Sequence, residues 1–262
     1  MIGSISTNNE LKLNENDFSN FGRYLPKDKL VLTLPNNTIT LSRLGDGRFS
    51  YVRQTTQNEL VKKIIRTKSE NFDIELAPVL PIHMPSYKTD FFFLRFTEPL
   101  YISQNTATEV LTSFPIEIGV FVIEENQSGG IDYFSCDPFN SRFALYGPTE
   151  DGKLCKYAKT SLDEKQIVNQ PFIHAQLKIQ LINELEEGIS IEKIVFPVTD
   201  HDLYFHGTDV MMDSLETRIK NRVGLHVVEM IQKPITNLEG WKLALRDIKK
   251  TDYKFSMEKG FD

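Results

Sequence analysis

Residues 196–210, FPVTDHDLYFHGTDV, hold His201 and His206, two of only five histidines in the chain, alongside Asp200, Asp202 and Asp209. Asp213 follows shortly after. Imidazole and carboxylate groups at this density are metal-ligand types, so Asp200, His201, Asp202 and His206 could hold a divalent ion and support metal-assisted hydrolysis or carbohydrate chemistry. Strand periodicity works against a compact site. In an extended segment two side chains five positions apart point to opposite faces, so His201 goes with Leu203 and Phe205, and His206 with Asp202 and Tyr204. The apolar pair marks the core face, which leaves Asp202, Tyr204 and His206 as a solvent-facing row of binding candidates. The competing reading is a strand between two polar turns, TDHD and HGTD, where aspartate bonds its own backbone. This reading is favoured, and no metal or cofactor is expected.

A second candidate comes from an internal echo. FLRFTEPLYISQNTATEVLTSFPIEIGVFV and LKIQLINELEEGISIEKIVFPVTDHDLYF both run strand, polar link, strand, Phe-Pro, strand. If the two Phe-Pro strands lie side by side, Glu117 comes near the Asp/His turn and joins it as a binding candidate. The other histidines, His83, His174 and His226, are scattered, and none adjoins a nucleophile. Neither Cys136 nor Cys155 sits in a CxxC or beside a cationic cluster that would activate it, so both read as reduced structural thiols. No phosphate loop, dinucleotide glycine fingerprint, nucleophile elbow or HExxH helix occurs.

Positioning such residues requires strands. Period-2 alternation with turn residues between the runs dominates the 262 residues, and helix-period stretches are rare. In KLVLTLPNNTITLSRLGDGRFSYVRQ the alternating Leu30, Leu32 and Leu34, the PNN and GDG turns, and Phe49 with Tyr51 predict an N-terminal meander. The weakest helix candidates are ELVKKIIR and the segment around ETRIKNRV. Many short strands without helical crossovers predict a mainly β protein, an antiparallel β-sandwich or two sandwiches fused. The division expected is residues 1–165 and 166–262, with one continuous domain as the alternative.

The formal charge of −6 argues against a nucleic-acid partner, since phosphate contacts need a concentrated Lys/Arg face. Lys62, Lys63, Arg66 and Lys68 read as a solvated edge. No apolar run is long enough to span a bilayer and no signal peptide is evident, so a cytoplasmic protein is expected.

The blocks LTSFPIEIGVF, RFALYGPTEDGKLCKYAK and KIVFPVTDHDLYFH, preceded by FGRY at 21–24, resemble an uncharacterised archaeal family, a numbered domain of unknown function, four-three-two in its series. The resemblance spans most of the chain and implies no activity, cofactor or catalytic residue. The function expected from the residues is a soluble β-sandwich binding or accessory module without catalysis, with a protein or small-molecule partner. The alternative is the metal-assisted hydrolase or carbohydrate-active enzyme on the Asp200–His206 stretch.

Overall fold

Every described element is a strand or an isolated turn, because the alternating apolar residues each find a sheet face to bury. The computed structural model describes residues 18–68, 72–85, 87–125, 127–137, 142–163, 170–223, 225–236 and 238–246. After the short β1 (Gly22–Tyr24) comes the meander, sheet I: β2 (Lys29–Leu34), β3 (Asn37–Gly45), β4 (Arg48–Thr55) and β5 (Leu60–Arg66), all antiparallel. Its tight turn is GDG, where Gly45, Asp46 and Gly47 all take positive φ. Sheet II is ordered β1, β6 (Asp73–Val79), β9 (Glu117–Glu124), β10 (Gln127–Phe134). Sheets I and II are tied by Asp132 of β10, which accepts bonds from Tyr51 Oη and Arg53 Nε, each at 2.7 Å.

Sheet III is ordered β11 (Arg142–Tyr146), β12 (Lys153–Thr160), β7 (Phe91–Ile102), β15 (Ile189–Pro197), with β12 parallel to β7. Sheet IV runs β13 (Leu162–Asp163), β8 (Thr106–Pro115), β14 (His174–Asn183), and then branches. Along the far edge of β14 lie β17 (Asp209–Met212) and then β18 (Ser214–Arg222), both parallel to it. The first of these pairs with β16 (Leu203–His206), which carries β20 (Lys242–Leu243). The second pairs with β19 (Leu225–Lys233). The fold is therefore mainly β and sandwich-like, antiparallel apart from these parallel pairings.

The two echo segments are β7–β8 and β14–β15. Each leaves one sheet and enters the facing one, and the first strand of each pairs with the second strand of the other. They form two interlocked arches related by an approximate two-fold exchange. The Phe-Pro strands β8 and β15 are consequently in opposite sheets, and not side by side as the alternative that joins Glu117 to the Asp/His turn requires. They meet ring to ring: Phe114 lies 6.0 Å from Phe196 and 4.6 Å from Phe92. Where the arch links touch, the buried Asn183 amide donates to the carbonyls of Ile102, Ser103 and Glu187, while its oxygen accepts from Leu185 N. Every polar atom of that side chain is satisfied, which is what burial requires.

Both weak helix candidates are strands. ELVKKIIR contributes β5, the edge of sheet I, and the second forms β18, clamped between β14 and β19. Pairing to neighbours overrode a weak helical pattern. Lys62, Lys63, Arg66 and Lys68 are all exposed along that edge, though Lys63 Nζ also reaches Asp132 Oδ1 at 3.2 Å. Strands on both sides of residue 165 pair within sheet IV, and one buried apolar cluster draws residues from all four sheets.

Phe114 is fully buried at the contact of the two arches. Its replacement by alanine is expected to cost about 3–5 kcal/mol in urea unfolding, the range for an aromatic removed from a packed core. Phe143→Ala, on the exposed edge strand β11, should cost less than about 0.5 kcal/mol.

Candidate functional site

Glu117 opens β9 at the point where the chain leaves sheet IV for sheet II. Pro115 ends β8, Ile116 N bonds to Ile173 O at 3.0 Å, and the next side chain turns inward at 2% exposure. A carboxylate buried this deeply needs partners. Its Oε2 accepts from His83 N at 2.8 Å and its Oε1 from Met84 N at 3.2 Å. Lys156 Nζ of β12 completes the set, 2.7 Å from Oε1. Burial pushes the Lys156 pKa down, and the attraction of Glu117 opposes that shift.

His83 borders this pair. Its Nδ1 stands 3.1 Å from the Leu80 carbonyl, which can only accept, so the proton on that nitrogen is directed there. The same nitrogen is 3.4 Å from Glu117 Oε2, and the ring stacks on Tyr133 at 4.3 Å between centroids. Beside the ion pair lies a cleft of about 310 Å³ at the meeting point of sheets II, III and IV. Phe92, Ile116 and Ala158 supply apolar wall; Lys156 and Glu117 the floor; Lys159 an exposed rim. His174 also borders it. Burial lowers its pKa, Asp137 opposes the shift, and its Nδ1 has no hydrogen-bond partner among the described residues.

The Asp200–His206 stretch does different work. His201, Leu203 and Phe205 are buried on one face, while Asp202, Tyr204 and His206 occupy the other. Each member of that outer row has its own neighbour. Arg246 Nε donates to Asp202 Oδ1 at 2.5 Å, His206 packs near Trp241 at 6.0 Å, and the Tyr204 pKa is raised by burial and by the nearby Asp213 charge. Asp200 is exposed, and its carbonyl accepts from the Arg246 guanidinium at 3.3 Å. Asp213, fully buried, holds the branch in sheet IV. Its carboxylate accepts from Asp202 N at 2.8 Å, Gln232 Nε2 at 2.5 Å and Ile235 N at 3.3 Å, replacing ladder bonds where β16 begins and β19 ends. Among the described residues no three His, Cys, Asp and Glu side chains are placed to hold a metal ion.

Glu117 stands with Lys156 and His83, and His83 lines a small pocket of about 10 Å³ together with His201. Lys156 and His83 were not singled out from sequence. A signal for Lys156 existed: in LCKYAK it takes the inward phase of an alternating strand, where a charge requires a buried partner. The thiols are inert in the neutral range, as burial pushes Cys136 up to about 12 and raises Cys155 as well.

A family model described as protein of unknown function, DUF432, matches residues 20–258. The chain belongs to the DUF432 family. Comparison with curated proteins and with solved structures finds no match. In this DUF432 protein no helix of the described residues is long and apolar enough to cross a membrane.

His174 and His201 both have pKa values lowered chiefly by burial from 6.5. The unfolded chain thus takes up protons more readily than the folded one. Stability is fully present above about pH 6.5 and is lost as pH falls below it. The urea midpoint should drop between pH 7.5 and 5.5, and a His174→Gln/His201→Gln variant should show a flatter dependence over that interval.

Proposed function

We propose that this DUF432 protein is a non-catalytic binding module of the cytoplasm, whose small-molecule site is the cleft over the Lys156–Glu117 pair. The observation that carries this reading is the combination of a formed cleft, apolar on one wall, with a buried ion pair fixed on its floor and a cation at its rim. A buried pair of this kind adds little to stability, because desolvation offsets most of the attraction. Its value lies in orienting a charge in a low-dielectric recess, where one interaction with an anionic group is strong and directional. Small-molecule sites have this make-up: mostly apolar walls with a few fixed polar groups. The ligand class that fits is a small organic acid or phosphate ester with an apolar body.

The reading is tested by thermal-shift titration with benzoate, phenyl phosphate and inorganic phosphate. Phenyl phosphate or benzoate should raise Tm saturably, and more than inorganic phosphate does. The paired variant Glu117→Gln/Lys156→Met keeps the volume, removes both charges and leaves one oxygen to accept from the loop amides of His83 and Met84, so it should fold with a lowered Tm and lose the ligand shift. An unchanged shift in the folded double variant, or turnover of phenyl phosphate, overturns the reading.

A further inference from the structure

The outward face of sheet III gathers cations that the sequence scatters over nearly a hundred residues. Phe92, Leu94 and Phe96 of β7 are buried, so Phe91, Phe93 and Arg95 point the other way. Register places Lys159 of β12 and Lys193 of β15 on either side of Arg95. Three like charges abreast on one face repel one another, a destabilising arrangement that a bound anion would relieve. Among the described residues none of the three forms an ion pair. The next row holds Arg142, Tyr157 and Phe93, again in register. Tyr146 packs at the same place, its ring 6.1 Å from Phe93, with Phe93 and Tyr157 5.6 Å apart. Lys153 stands over the Phe91 ring at 4.1 Å, and Lys193 lies 5.8 Å from Phe93 and 6.0 Å from Tyr146.

Cationic and aromatic rows thus lie side by side. A groove of about 340 Å³ runs between Arg95, Tyr157 and Lys159, and Glu192 is the one carboxylate lining it. Glu150 and Asp151 are confined to the β11–β12 turn. In a chain of net charge −6 this is a local concentration of positive charge.

We propose that the outer face of sheet III binds single-stranded nucleic acid, with Lys159, Arg95 and Lys193 following the phosphates and Tyr146, Tyr157 and Phe93 stacking the bases. Strands lie about 4.8 Å apart, so the three cations span about 10 Å across the sheet, in line with a short run of sugar-phosphate backbone. A sheet carrying an exposed ring, Tyr146, beside the half-buried Phe93 and Tyr157 suits unstacked bases; duplex DNA hides its base faces. Neutral sugars also stack on rings, but they are read by amide and carboxylate hydrogen bonds, and this face offers cations instead. The face meets the proposed small-molecule cleft at Tyr157 and Lys159, which line both; Arg95, Lys193 and Tyr146 do not line that cleft, so substitutions there test this proposal alone.

Fluorescence anisotropy with a labelled oligothymidylate of about 12 nucleotides tests this, with a duplex of equal length and heparin as competitors. Saturable binding is expected at about 50 mM salt, with a log–log salt slope near −2 for three neutralised phosphates at about 0.7 each. Arg95→Gln/Lys193→Gln should weaken binding at least about tenfold and flatten that slope. Tyr146→Ala should lose about tenfold with the slope unchanged, the signature of stacking. All three substitutions are at exposed positions, so fold is retained. The proposal is overturned by absence of saturable binding at low salt. It is equally overturned if heparin or duplex competes as well as unlabelled oligothymidylate while Tyr146→Ala binds like the parent, which would leave a polyanion surface without base stacking.

Discussion

The carboxylate of Glu117 is the joint on which the molecule turns. It lies where the chain passes from sheet IV to sheet II, and it binds the backbone of the loop after β6 as well as Lys156 in sheet III. Elements from three of the four sheets therefore converge on one charged group. Removing Lys156 alone would strand a buried carboxylate, a far larger penalty than the pair's net contribution.

Two further buried carboxylates act in the same manner at other seams. Asp132 links sheets I and II through Tyr51, Arg53 and Lys63. Asp213 satisfies the backbone where sheet IV branches. Between these polar joints the two interlocked arches supply the apolar centre, with Phe114 packed against both Phe92 and Phe196. The division of labour is clear: burial of apolar side chains, aliphatic and aromatic, supplies most of the driving force, and the carboxylates fix which sheet edges meet.

The arches also explain the echo between the two Phe-Pro segments. Each is a strand pair split between facing sheets, and each completes the other. Their matched patterning reflects matched positions in the sandwich, with Phe114 and Phe196 as counterparts across the core. An antiparallel hairpin within a single sheet would have put the two Phe-Pro strands side by side instead, and Glu117 beside the Asp/His turn. The crossing between sheets moved Glu117 to a different set of partners.

By itself the sequence determined the class of fold and the faces of the cleanly alternating strands, though not β5 and β18, whose patterns read as weak helices. Alternation is a local property with a period of two, and it assigned Leu203 and Phe205 inward and Asp202, Tyr204 and His206 outward. Family membership, too, was legible in the order of its blocks. Only the tertiary structure decided which residues from distant strands share a site. Glu117 meets Lys156 and His83, and Arg95 meets Lys159 and Lys193, because of strand order and register across sheets. Net charge concealed that second grouping, since a sum over the chain carries no information about which face each charge occupies. Strand order depends on long-range closure of the core, and no local pattern encodes it.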